Sequence, residues 1–309
     1  MSNAMLQVHL DRCPAYTAPE LPATVAALLQ GTGCRPTPGT RVLVKPNLIS
    51  SADAGLAATH PAVVRAVCEY LLAHGCRVQV GDSPAFGTGR LVARKVGLTA
   101  ALRDLPVRLV ELDRPRAAPL SFGEHIGISA VALESELLVN VPKCKVHTQM
   151  RLSLAVKNCF GCVVGMRKPL AHARYGEQGT RFEAMLLDVL AALPPMVHVI
   201  DGITAMHVRG PMGGRPFALG LLGASASAVA LDTALATLLG VAPEASAIWQ
   251  ESLRRGLPGA RLEQIAFPVL QLRDFDAAGF QVPGVLRPVT FNPLQLARGA
   301  CKRLLARLG

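Results

Sequence analysis

The chain has 7 lysines against 25 arginines, and four of the seven, Lys143, Lys145, Lys157 and Lys168, fall within 26 residues. An even spread would place fewer than one there. Lysine is a compact point charge whose pKa moves readily on burial, which arginine cannot match. Between Glu136 and Glu177 there is no carboxylate, but there are four Lys, three Arg and the two histidines His147 and His172. Charges of one sign at this density repel unless solvent or an anion answers them. The segment therefore predicts a site for phosphate or carboxylate groups; the plainer reading is a solvated basic loop. Lys143, Lys145, His147 and Asp201 are the candidate catalytic residues: Lys143, Lys145, Lys157 and Lys168 would neutralise the compound's charge, and His147 or His172 would move a proton, since histidine titrates near neutral pH. Candidates for substrate binding are Lys45, Asn47, Thr59, His60, Asp82, Ser83, Lys157, Asn158, Lys168 and His172. Gly210 and Gly213, in Gly210-Pro-Met-Gly213-Gly, could present backbone N–H groups to the anion. Asp82 and Asp201 could orient a histidine or hold a divalent cation.

The cysteines offer a different chemistry. Cys159-Phe-Gly-Cys162 is a C-x-x-C, with Cys144 fifteen residues before it. Three thiolates could hold a metal or an iron–sulfur cluster with one open position. The competing reading is buried, reduced cysteines. A P-loop, a dinucleotide fingerprint, a G-x-S-x-G elbow and an H-E-x-x-H pair are all missing from the sequence.

Strand and helix patterns alternate around these residues. Arg41–Lys45, Arg77–Gly81, Val107–Glu111 and Glu136–Asn140 read as strands. Pro61–His74 has a helical apolar period, with Pro61 in its first turn, Thr59 or His60 to cap it and Gly75 at its exit. A second helical stretch opens at Ser83-Pro84 towards Lys95. In the second half, helices are expected at Phe182–Leu193, Ala226–Leu239 and Glu244–Arg255, and strands at Met196–Ile200, Phe217–Leu222 and Pro268–Leu272. Phe291–Leu308 reads as a basic amphipathic surface helix. Such alternation implies βαβ units in an α/β fold, a mainly parallel sheet with helices on both faces. Two lobes are expected, 5–145 and 146–309, with the segment near 145–180 as hinge or insertion. Ligands of open parallel sheets bind beyond the carboxyl ends of the strands. Lys45, Asp82, Lys143 and Asp201 all follow strands, so they are expected near one end of the sheet.

Composition narrows the class. Half of the 309 residues are apolar, which excludes disorder as the main state. The net charge of +11 invites a nucleic-acid reading, but the arginines are scattered singly and no aromatic-rich strand is available to stack bases, so no nucleic-acid partner is expected. Met1–Ala4 reads as a cloning remnant before Met5. No signal peptide or membrane span is recognisable, so the expectation is a soluble, cytoplasmic protein without a membrane partner or a disulfide framework.

Several of these motifs recur together in a known family. Asn140-Val-Pro-Lys-Cys-Lys-Val-His147, then Leu154-Ala-Val-Lys-Asn-Cys-Phe-Gly161, resemble the bacterial and archaeal family called domain of unknown function 362. So do Val44-Lys-Pro-Asn47, Thr59-His-Pro61, Gly81-Asp-Ser-Pro84, Asp201-Gly-Ile203, Gly210-Pro211 and Ala230-Leu-Asp232, in order over roughly residues 38 to 240. The resemblance implies an α/β core and an association with iron–sulfur proteins, many members carrying a ferredoxin-like module. This chain has no C-x₂-C-x₂-C-x₃-C run, so a ferredoxin-like unit would be a separate partner. Three functions follow as expectations: an enzyme acting on a small anion, an iron–sulfur or metal-binding redox protein using Cys144, Cys159 and Cys162, and a non-catalytic anion binder.

Overall fold

The structure is a computed structural model, which describes residues 5–50, 54–84, 87–165, 167–176 and 178–288. The chain opens with β1 (Leu6–Gln7), β2 (His9–Arg12) and α1 (Leu21–Gly31), then β3 (Arg41–Pro46), α2 (Ala54–Ala57), α3 (Pro61–Ala73) and β4 (Arg77–Val80). Next come α4 (Gly89–Lys95), α5 (Leu98–Ala101), β5 (Arg108–Leu109), β6 (Pro115–Pro119), β7 (His125–Ser129) and α6 (Ala130–Leu133). The central segment holds β8 (Leu137–Val141), β9 (Lys143–His147), β10 (Arg151–Ser153), α7 (Ala155–Cys159), α8 (Arg167–Tyr175) and α9 (Arg181–Ala192). Then follow β11 (Met196–His207), β12 (Arg215–Ser225), α10 (Ala228–Leu238), α11 (Ala247–Arg254) and β13 (Ile265–Ala266).

One nine-stranded sheet runs β10-β9-β11-β8-β3-β4-β5, with β12 on β11 and β2 on β12. It is mixed, not mainly parallel. β5, β4, β3, β8, β11 and β9 pair in parallel, whereas β10, β12 and β2 pair antiparallel. The antiparallel pairs β9–β10 and β11–β12 join consecutive strands through short connections, which parallel strands cannot use. The boundary expected after residue 145 falls inside β9, and the sheet takes strands from both sides of it.

Both faces of the parallel strands are buried, which explains their continuous apolar runs. Along β3, Val42 and Val44 enter one core with α1 and α3, while Leu43 enters the other. β8 repeats this, with Val139 and Val141 on one side and Leu138 on the other. Val63, Val64, Val67, Cys68 and Leu71 of α3 complete the first core. Each buried aliphatic side chain stabilises by about 1.5–3 kcal/mol. His60 caps α3, its Nδ1 accepting from Ala62 N at 3.2 Å, and Gly75 takes the exit at φ 74°.

Some expectations shift. Lys143–His147 is a strand running straight on from β8 across Pro142. Pro268–Leu272 is not a strand; β13 lies just before it, and a 3-10 turn at Leu272–Asp274 follows. The helix after Ser83-Pro84 begins only at Gly89, capped by Thr88. The basic tail 291–308 lies outside the described residues. Among the described residues no helix is long and apolar enough to cross a membrane.

Candidate functional site

The chain passes from β3 to β4 and β5 on one side of the sheet, then returns to β8 on the other side of β3. The strand order thus reverses between β3 and β8. In open α/β sheets a crevice forms at such a reversal, beyond the carboxyl ends of the strands. The sequence places Lys45-Pro46-Asn47 at the end of β3 and Lys143 just past the end of β8. Side chains alternate along a strand, so Lys143, Lys145 and His147 share one face of β9 and Cys144 and Val146 the other.

Two buried ion pairs lie at the carboxyl ends of β3 and β8. Lys45 Nζ lies 2.8 Å from Asp82 Oδ1, with side chains 0% and 3% exposed. Lys45 Nζ also donates to Asn158 Oδ1 at 3.2 Å, and Asp82 Oδ2 accepts from Leu48 N at 2.7 Å. Lys143 Nζ meets Asp201 Oδ2 at 2.9 Å, both fully enclosed. Asp201 also accepts from Tyr16 OH and from His60 N, each at 2.9 Å. The His60 ring stacks on Tyr16 at 3.7 Å between centroids. Lys45, Asp82, Lys143 and Asp201 therefore lie at one end of the parallel strands.

A polar relay joins the strands beneath. Asn47 Nδ2 donates to Asn158 Oδ1 at 2.8 Å, and Asn158 Nδ2 donates to Asn140 Oδ1 at 2.7 Å. Thr59 Oγ1 accepts from Asn47 N and donates to Val141 O. Lys145 Nζ donates to Asn47 Oδ1 and, at 2.6 Å, to Ala57 O. Lys168, on α8, donates from Nζ to Ser83 O. Ser83 is tied in turn to Gly161 O through its N–H.

Lys157 is different. Among the described residues its ammonium has no hydrogen-bond or ion-pair partner; it lies 5.4 Å from the Phe160 ring centre and 5.9 Å from that of Phe182. His172 packs on the same two rings, at 5.8 and 4.4 Å. Lys157 is half-buried, whereas Lys45, Lys143, Lys145 and Lys168 are buried.

The electrostatics follow from burial and like charge. Lys145 is held well below the usual lysine range, first by burial and then by Lys157, Lys143 and Lys45, with Asp82 opposing. His147 is pushed well below the usual histidine range by burial, then by Lys157, Lys145 and His172. Burial lowers Lys157 to about 8, and Lys168 likewise to about 8. Burial raises the Tyr16 hydroxyl, and the charge of Asp201 adds to that.

Asn47 Oδ1 and Ala57 O take two N–H donors of Lys145, so in its neutral form this amine would keep a lone pair to accept a proton. His147 Nδ1 accepts from Gln149 N at 3.1 Å, so a neutral ring carries its proton on Nε2 as a donor. The Lys145 amine and the His147 ring stand on one face of β9, two residues apart.

The thiols do not fit a metal or cluster. Cys144, Cys159 and Cys162 are fully buried, and burial raises Cys144 and Cys162 to about 12 and Cys159 well above its usual value. A ligating thiol must shed its proton, which this environment opposes. Among the described residues no group of three or more His, Cys, Asp or Glu side chains is arranged to hold a metal ion. Asp82 and Asp201 are likewise occupied by separate lysines, so they do not form a cation site.

Gly210 packs under β9: a side chain there would overlap Val146 O, and Gly210 O accepts from Thr148 N at 3.0 Å. Gly213 is exposed, at φ 72°. Three residues escape a reading for site chemistry. Tyr16 lies outside the motif-bearing segments. Gly161 sits so close to the Lys45–Asp82 pair that any side chain would overlap both. Asp232 accepts from Ala155 N at 2.7 Å and Val156 N at 3.1 Å, anchoring the start of the helix that carries Lys157 and Asn158. Its motif, Ala230-Leu-Asp232, was the available signal.

Comparison with known proteins adds the following. Residues 42–237 match a family described as domain of unknown function (DUF362). A thylakoid-associated protein of Synechocystis sp. is 35% identical over 305 residues, 97% of this chain and 95% of that protein. Two solved structures are more distantly similar. The lactate racemase apoprotein from Thermoanaerobacterium thermosaccharolyticum is 10% identical, with 64% of this chain and 50% of that one covered and a TM-score of 0.40. A Thermotoga maritima protein is 13% identical, with 66% and 54% covered and a TM-score of 0.38. The chain spans about half the length of either one.

Proposed function

The chain belongs to the family described as domain of unknown function (DUF362), and from that premise we propose that it binds a small carboxylate- or phosphate-bearing compound at the β3–β8 crevice and moves a proton on it. One observation carries the reading: the half-buried Lys157 ammonium has no hydrogen-bond or ion-pair partner among the described residues, and it stands in the positive field of Lys168, near enough to Lys145 and His147 to disfavour their charged forms. An oxyanion would relieve that repulsion through charge-assisted hydrogen bonds. Lys157 is its primary contact. Lys145 is the base, through its free lone pair, and the Nε2–H of His147 is the donor. Lys45–Asp82, Lys143–Asp201 and Asn158 hold these groups in place. The iron–sulfur alternative loses support because burial raises all three thiols and, among the described residues, no three His, Cys, Asp or Glu side chains are arranged to hold a metal ion. A non-catalytic anion binder would share the same contacts, and turnover separates the two. The same reading keeps the protein in the cytoplasm, away from nucleic acid and membrane. Because a relative carries a thylakoid-associated name, co-flotation with galactolipid vesicles tests that part.

The decisive experiment is a sulfate titration by thermal shift at constant ionic strength. A ligand that binds only the native state raises Tm. Wild type should respond, and Lys157→Gln should respond much less. Equal responses refute the site.

A further inference from the structure

We propose that Lys157 is a carbonyl-capturing amine, forming an imine with a small aldehyde or ketone that also bears a carboxylate or phosphate. This deepens the anion-site reading and rests on it.

Five lysines surround the crevice, and four have their amines committed. Lys45 and Lys143 are bound to Asp82 and Asp201. Lys145 is held by Asn47 and Ala57 O, and Lys168 by Ser83 O. Only Lys157 lacks such a partner among the described residues, and of the five it alone is half-buried where the other four are buried. Its surroundings are the Phe160 and Phe182 rings, which cannot stabilise a cation as well as a carboxylate does. Desolvation next to other cations is the arrangement that keeps a lysine amine as free base and makes it a nucleophile. The burial that lowers Lys157 to about 8 agrees with this geometry.

The step balances without a further reactant. The neutral amine adds to the carbonyl carbon and a C–N bond forms. Both amine protons pass to the carbonyl oxygen, the C–O bond breaks, water leaves and C=N remains. The substrate's carboxylate or phosphate would meet the positive field of Lys168 and the Nε2–H of His147, which sets the class as anionic carbonyl compounds.

The test uses the full chain, pyruvate as the probe and sodium cyanoborohydride to trap the imine as a secondary amine, followed by peptide mass mapping. The expected result is one reduced adduct at Lys157. Its yield should exceed that of the exposed Lys95 by more than about tenfold, because burial lowers the Lys157 amine to about 8 and so raises its share of free base at neutral pH. Sulfate should slow the labelling of wild type. Lys157→Arg keeps the charge but has no amine able to form the imine, so it should keep the sulfate-induced rise in Tm and lose the adduct. Labelling of Lys157 no faster than of Lys95 overturns the proposal. A sulfate response without an adduct overturns the imine alone, whereas no sulfate response in wild type overturns the anion site beneath it.

Discussion

Replacing Asp232 by Asn should change how stability depends on pH, and the structure sets the size of the effect. Asp232, on α10, accepts the first two N–H groups of α7, at 2.7 and 3.1 Å. Burial raises its carboxyl to about 7. The unfolded chain ionises near ~3.9, so its native carboxyl binds protons more tightly. A folded value raised in this way contributes stability that is full below ~3.9 and is lost as pH rises to about 7. A shift of about 3 units corresponds to about 4 kcal/mol, of which about 2–3 kcal/mol falls between pH 5 and pH 8 once partial solvent access is allowed for. Asparagine cannot ionise and has no such loss. It offers only one carbonyl oxygen, however, and leaves one helix N–H unanswered, at a cost of about 1–3 kcal/mol. At pH 5 Asp232→Asn should therefore be the less stable protein, and by pH 8 the two effects should nearly cancel. Urea denaturation reads this directly, because the sole tryptophan, Trp249, lines the same small cavity as Asp232. If the stability difference between the two proteins stays constant within ~0.5 kcal/mol from pH 5 to pH 8, the burial argument is wrong.

Other outcomes follow from the same geometry. The sulfate-induced rise in Tm should be largest below pH 8 and shrink as pH passes about 8, where Lys157 and Lys168 lose their charge; a flat response from pH 6.5 to 9.5 refutes the assignment. Gly161→Ala should force apart the Lys45–Asp82 pair and cost about 3–5 kcal/mol, as breaking a buried pair does, whereas Gly55→Ala, with open space around it, should be near neutral by chemical denaturation. Asp201→Ala strands the buried Lys143 and should cost a similar ~3–5 kcal/mol. Tyr16→Phe, which takes an acceptor from Lys143 Nζ and Thr204 N and a donor from Asp201 but leaves the ion pair in place, should cost less, about 1–3 kcal/mol. A Tyr16→Phe loss equal to that of Asp201→Ala would show that the ion pair is not the main element.

The sequence by itself determined the features that depend on neighbours along the chain. Apolar period, proline and glycine placement mark α3, β3, β4 and β8, because helix and strand sides are sorted within a few residues. The excess of lysine over acid between Glu136 and Glu177 was equally plain, since charge is counted without knowing the fold. The family motifs marked Asn158 and the Asp232 segment without giving either a partner. Only the tertiary structure decided pairing. The sheet became mixed because β12 folds back antiparallel on β11 and β2 then pairs antiparallel with β12, the latter a choice between strands about 210 positions apart that no local pattern records. Tyr16 reaches Asp201 across 185 positions, so neither residue advertises the other. Lys143 and Lys157 are the same residue type in one segment, yet one is cancelled by a carboxylate and the other is not. The three cysteines likewise have ligand-like spacing, but thiol chemistry depends on solvation and on where the sulfurs converge. Burial and partner choice are properties of space, and they decide which protonation state each of these side chains favours.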